Sequence, residues 1–170
     1  RYAVERLLFR LSQSEHREQF ILKGGTLFMV WQQTYRATRD LDLLAQTRLN
    51  LPELETIFRS LCAFVVDDGI RFLPNSVRGQ ERPTIGAEQR VQQITLQATV
   101  DTARTQVQID IGFGDIAVPE PELINYPSLL GEAFAGLKAY SRYTVIAEKC
   151  EALVKLGILN SRMKDFYDIW

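Results

Sequence analysis

Apolar residues recur in the first dozen positions at Val4, Leu7, Leu8 and Leu11, the spacing that lays one stripe along an α-helix. The stripe ends in the polar stretch from Ser12 to Glu18. Phe20-Ile21-Leu22 is then a short apolar strand signal, broken by Lys23 and the pair Gly24-Gly25. Thr26 to Trp31 follows, apolar on nearly every side, so the order predicts strand, tight glycine turn and buried helix. The segment Asp40-Leu41-Asp42-Leu43-Leu44-Ala45 alternates with a period of two. A strand there sets Leu41, Leu43 and Ala45 on one face and both aspartates on the other.

Asn50 and Pro52 open a helix over Leu51 to Ala63, and Val65 to Gly86 mixes short strand signals with turns. Ile94, Leu96, Ala98 and Val100 alternate with polar residues, as do Val107, Ile109, Ile111 and Phe113. With the polar stretch from Asp101 to Thr105 between them, the two runs predict a hairpin. Pro119, Pro121 and Pro127 mark a long connection. A helix over Thr144 to Leu156 is stopped by Gly157, and a last helix starts near Ser161.

This mixture of elements predicts an α/β (α+β) fold. With 170 residues, of which 46% are hydrophobic, the chain can bury a full core in one domain, residues 1–170. Because it opens at Arg1 and stops at Trp170 within an amphipathic pattern, the expectation is a core domain lacking both natural ends. No apolar run approaches the roughly 20 residues of a membrane span and no charged-then-apolar leader opens the chain, so a cytoplasmic protein without a membrane partner is expected. Cys62 and Cys150 are too few for a disulfide framework and, set among apolar residues, are expected in the core. A net charge of −1, from 20 basic and 21 acidic side chains, does not by itself point to nucleic acid.

The sole histidine, His16, sits in a polar run, which leaves serine or cysteine triads and histidine-rich zinc sites poorly supported. The glycine patterns of P-loops and dinucleotide-binding folds are absent. Gly24-Gly25 at a strand-to-helix junction lets the backbone approach a phosphate, although a plain tight turn uses the same residues. Asp40 and Asp42 on one strand face repel one another unless a cation or water intervenes, and an ordinary half-exposed strand also alternates Asp with Leu. Asp110 tips that balance: in Gln108-Ile109-Asp110-Ile111-Gly112 it faces away from its isoleucines, so pairing of the two strands would bring three carboxylates to one side of the sheet. Such a set fits metal-assisted phosphoryl transfer with Mg²⁺ or Mn²⁺, and Asp115 is a weaker fourth member.

In the helix from Thr144 to Leu156, Ile146, Cys150, Leu153 and Val154 form the apolar arc, with Lys149 at its edge and Glu148, Glu151 and Lys155 opposite. A lysine at that edge snorkels outward or meets an anion. The last helix groups Met163, Phe166, Tyr167 and Trp170, and sets Lys164, Asp165 and Asp168 on a face expected to be solvated.

The ordered set Leu22-Lys23-Gly24-Gly25-Thr26, Thr38-Arg39-Asp40-Leu41-Asp42-Leu43, Ile109-Asp110-Ile111, Ala147-Glu148-Lys149 and Arg162-Met163-Lys164-Asp165-Phe166-Tyr167-Asp168 resembles the AbiEii/AbiGii toxin family from about position 20 onward. The resemblance implies a nucleotidyltransferase fold of the polymerase-β type, a small mixed sheet flanked by helices. Lys23, Gly24, Gly25, Thr26 and Lys149 would then lie at the nucleotide, with Asp40, Asp42 and Asp110 at the metal and Lys149 and Asp165 as later essential positions. Where many members have a serine near the first acidic motif, this chain has Thr38-Arg39. The resemblance further implies a nucleoside triphosphate substrate, an RNA or tRNA acceptor, an antitoxin partner and a helical C-terminal continuation. Two function classes follow: a metal-dependent nucleotidyltransferase, or a catalytically silent module that binds nucleotide or antitoxin. The retained acids favour the first.

Overall fold

The structure is a computed structural model that describes residues 1–32, 40–83, 90–131, 134–157 and 163–169. Helix α1 (Tyr2–Ser12) leads into β1 (Phe20–Lys23), a 3-10 turn over Gly24–Leu27 and the short α2 (Phe28–Gln32). Strand β2 (Asp40–Ala45), helix α3 (Leu51–Ala63) and strands β3 (Ile70–Pro83), β4 (Arg90–Val100) and β5 (Ala103–Phe113) follow. The chain continues through β6 (Glu122–Tyr126), β7 (Phe134–Ala139), α4 (Arg142–Leu156) and α5 (Met163–Ile169).

The seven strands form one mixed sheet in the order β3-β4-β5-β2-β1-β7-β6. Strand β2 runs parallel to β5 and antiparallel to β1, and β1 is parallel to β7. The expected α/β fold is therefore present. The expected hairpin is β4–β5, closed by a two-residue turn in which Asp101 takes φ 52°.

Strand alternation places Leu41 and Leu43 of β2, Val107, Ile109 and Ile111 of β5, and Ile94, Leu96 and Ala98 of β4 in the interior. They share one core with Val4, Leu7, Leu8 and Leu11 of α1 and with Leu54, Ile57, Phe58 and Leu61 of α3. Helix α3 starts where Asn50 caps it: the Asn50 side chain accepts from the Glu53 amide at 2.9 Å, and the Glu53 carboxylate accepts from the Asn50 amide at 2.7 Å.

Two stretches differ from the sequence-based expectation. Val65 to Gly86 contains the long strand β3, whose pairing with β4 slips between Leu73 and Arg78. The Ser76 hydroxyl bridges the slip, donating to the Leu73 carbonyl and accepting from the Gln97 amide, while Val77 drops into the core. The proline-marked connection contains β6 and β7, and β7 carries the sheet past β1.

Candidate active site

Register sets one row of side chains across the sheet. Lys23 of β1 lies opposite Asp42 of β2, Asp42 opposite Asp110 of β5, Asp110 opposite Gln93 of β4, and Gln93 opposite Gln80 of β3. Directly opposed residues project on the same face, so the core-facing leucines and isoleucines dictate this polar row on the other. Asp40 belongs to the same face two residues earlier, opposite Gln108, and is exposed at the start of β2. Asp42 and Asp110 are half-buried.

Burial, followed by repulsion from Asp110, pushes the Asp42 carboxyl up to about 6; Lys23 opposes the rise, and Asp40 and Glu148 add to it. The glycine turn lies directly against this carboxylate. Gly24 has φ +70°, and a Cβ there would overlap the Asp42 carboxylate oxygen and stand 2.7 Å from its Cγ. Both the backbone conformation and the space admit only glycine. Gly25 continues the 3-10 turn, and Thr26 is buried beneath it with its hydroxyl unpartnered among the described residues.

Although Lys23 stands beside Asp42 in register, its ammonium goes to two other acids, donating to Asp115 Oδ2 at 2.6 Å and Glu148 Oε1 at 3.1 Å. Burial disfavours the ammonium, yet attraction to Glu148 and the hydrogen bond to Asp115 outweigh it and hold its pKa above that of an ordinary lysine. Asp115 thus serves as a counter-ion to Lys23. Glu148, expected opposite the apolar arc of its helix, reaches this cluster.

Sequence reasoning missed Gln93, which is 1% exposed and donates Nε2–H to Asp110 Oδ1 at 2.5 Å. Its place on the polar side of β4, one residue before Ile94, was the available signal. The predicted hairpin set β4 beside the strand of Asp110, but the register that puts Gln93 opposite it was not legible.

Lys149 pairs with acids of the following helix. Its ammonium sits between Asp165 at 2.7 Å and Asp168 at 2.8 Å, joining α4 to α5. The expectation that Asp165 and Asp168 are solvated is corrected, since their side chains are 4% and 1% exposed. The apolar arc turns outward, with Ile146, Val154, Met163, Phe166 and Tyr167 all exposed. The cause is electrostatic: a buried ammonium is tolerated when carboxylates from the next helix pair with it, and the helix faces bearing those groups turn inward together. Cys150 lies on the outward face and is exposed, contrary to the core assignment, whereas Cys62 is buried as expected. His16 is half-buried.

Among the described residues, no three acidic, histidine or cysteine side chains are already arranged as a metal cage. Mg²⁺ does not require one, because it commonly takes one or two carboxylates and completes its shell with substrate phosphates and water. Asp42 and Asp110 suit such a cation: they are cross-strand neighbours, and proximity and burial make the Asp42 charge costly. Thr38, Arg36, Arg39 and Arg162 lie outside the described residues, while Arg142 stacks its guanidinium over Trp31 at 5.6 Å. No helix among the described residues is long and apolar enough to cross a membrane.

Residues 6–170 match the model of the family described as "Nucleotidyl transferase AbiEii toxin, Type IV TA system". Two solved structures share the fold. JHP933 from Helicobacter pylori has a TM-score of 0.65 at 15% identity, covering 98% of this chain and 61% of that one. A proposed nucleotidyltransferase from H. pylori has a TM-score of 0.64 at 16% identity, covering 97% and 62%. The chain therefore spans about three fifths of the length of these structures. No curated protein matches it.

Proposed function

The chain belongs to the AbiEii nucleotidyltransferase toxin family, and on that premise we propose that it carries the catalytic core of an enzyme that moves a nucleoside monophosphate from a triphosphate to an acceptor. The observation that carries this reading is the Asp42–Asp110 pair lying side by side on neighbouring strands, with the bare backbone of Gly24 against Asp42. Asp42 and Asp110, with Asp40 at the mouth of the same face, are the residues to hold a divalent cation, Mg²⁺ or Mn²⁺. A bound cation would supply charge neutralisation for the triphosphate and activation of the attacking hydroxyl.

The chain's own residues prepare the site in three ways. The Gly24-Gly25-Thr26 turn brings backbone close to the carboxylates, where a triphosphate bridging to them would run past the glycines. Lys23 supplies a positive charge next to Asp42 and becomes a phosphate ligand when it exchanges Asp115 or Glu148 for the incoming anion. The pairing of Lys149 with α5 sets α4 where Glu148 holds Lys23 in place until the triphosphate displaces it.

The acceptor we propose is RNA, and tRNA in particular, with the toxin's activity restrained by an antitoxin protein in the cytoplasm; the description of the family as the toxin of a toxin–antitoxin system supports the antitoxin. Incubating the whole protein with each labelled triphosphate, Mg²⁺ and total cellular RNA, then separating RNA, protein and small molecules, tests the acceptor. Label in RNA is the expected result. Label confined to protein or a metabolite would overturn the acceptor, and no transfer from any triphosphate would favour a silent binding module.

A further inference from the structure

Beyond Asp110 the polar row continues through two glutamines that carry no charge and, on the reading above, touch neither metal nor nucleotide. Gln93 is buried and gives its Nε2–H to Asp110 Oδ1, while its Oε1 accepts from Gln80 Nε2 at 2.6 Å. Gln80 is exposed on β3. A carboxamide has a donor end and an acceptor end of nearly equal shape, so its orientation is set by its partners and not by packing. Here the two partners agree: Asp110 only accepts and takes the donor end, while Gln80 supplies a donor to the acceptor end.

We propose that Gln93 is a positioning residue that holds the Asp110 carboxylate in its orientation toward a cation shared with Asp42, and that Gln80 is the latch that keeps Gln93 the right way round. The proposal rests on the Asp42–Asp110 pair being the cation site. A carboxylate with one oxygen anchored loses rotational freedom before the cation arrives, and groups that orient metal-binding side chains commonly matter 10- to 100-fold in affinity or activity.

The test compares Gln93→Met, Gln80→Met and Gln80→Glu with the wild-type protein for Mn²⁺ affinity, with and without a non-hydrolysable triphosphate, and for kcat and KM. Gln93→Met is expected to weaken Mn²⁺ binding about 10-fold or more and to lower kcat with little change in the triphosphate KM. Gln80→Glu is the decisive variant. A glutamate there only accepts, so it draws the Gln93 amide toward itself and turns the carbonyl oxygen on Asp110, which weakens Mn²⁺ binding. Its added negative charge alone would do the opposite, and Gln80→Met should fall between Gln80→Glu and wild type. Because Gln80 is exposed, both its variants should fold, which keeps the test alive if Gln93→Met does not.

Mn²⁺ affinity in Gln80→Glu equal to or tighter than wild type would overturn the proposal. The side-chain amide resonances of Gln93 in metal-free, ¹⁵N-labelled protein give a second readout: they should shift in Gln80→Glu and lose their slow exchange. If wild type binds no Mn²⁺, the cation reading has failed on its own. Unchanged Gln93 amide resonances would then also reject the latch.

Discussion

Two clusters in this chain are built from the same parts, a lysine and a pair of aspartates, and reach opposite electrostatic outcomes. Between α4 and α5, Lys149 lies within 2.8 Å of both Asp165 and Asp168, so one ammonium is shared by two carboxylates and the cluster fastens two helices. In the sheet, Lys23 stands beside Asp42 but gives its hydrogen bonds to Asp115 and Glu148, leaving Asp42 and Asp110 to face each other. Between the helices the lysine is already committed to carboxylates of the next helix. An acid pair whose neighbouring cation is diverted elsewhere is ready for a mobile cation.

The largest test of that contrast is Lys149→Met. It leaves two buried carboxylates without their ammonium and is expected to destabilise the protein by about 3–5 kcal/mol. Urea unfolding measures this, and Asp165→Asn in the same background should recover part of the loss. A near-neutral Lys149→Met would show that the α4–α5 cluster is not a fastener.

Gly24→Ala comes next. The left-handed backbone costs roughly 1–2 kcal/mol for a residue with a side chain, and the new methyl must push the Asp42 carboxylate aside. Such displacement of a reacting group is expected to lower transfer about 100-fold, read from initial rates at saturating triphosphate. Undiminished rates in a folded variant would remove Asp42 from the chemistry.

Asp42→Asn should act with the opposite sign on stability. In the folded chain the Asp42 carboxyl stands at about 6 against an ordinary value of 3.8, so the native state binds this proton more tightly than the unfolded state does. The stability this group contributes is fullest below the ordinary value and falls as pH rises through about 6. Asparagine carries no such penalty. The variant should therefore match wild type near pH 4 and exceed it by on the order of 2–3 kcal/mol at pH 8 in chelator. Adding Mg²⁺ should close the gap by stabilising only the wild type, and a gap that persists with Mg²⁺ would argue against a cation at Asp42.

The smallest effect concerns Glu148→Gln. Its ion pair with Lys23 is one-third exposed on the glutamate side and contributes weakly to stability, on the order of 0.2–1 kcal/mol. Loosening Lys23 should tighten triphosphate binding by roughly 2- to 5-fold. Weaker binding would mean that Glu148 supports the site and does not compete for the lysine.

Legibility differed with the range of the interactions. Bringing Asp110 to the face of Asp40 and Asp42 takes the pairing of β2 with β5, but alternation alone turns each of the three away from its apolar neighbours, because a two-residue period is a local property of an extended chain. Helix α3 was legible for the same reason, its cap and first proline lying within one turn of each other. The α4 and α5 faces were misread because the moment of an amphipathic helix ranks residues by transfer from water and takes no account of a partner. The two carboxylates and one ammonium together reversed the sign of that transfer. Strand β3 was obscured by a bulge whose hydrogen bonds come from β4 as well as from its own residues.

By itself, the sequence determined which residues carry the acids, that each acid turns away from its apolar neighbours, and where glycine permits the chain to turn, since all of these follow from local geometry. Only the tertiary structure decided that β5 lies beside β2, so that Asp110 meets Asp42. The tertiary structure likewise decided that Gln93 backs Asp110, and that of two lysines in matching motifs Lys149 is buried between carboxylates while Lys23 is held at the edge of the acid row. Strand order and ion pairing join residues tens of positions apart, and their energies depend on distance and burial that exist only after the sheet has assembled.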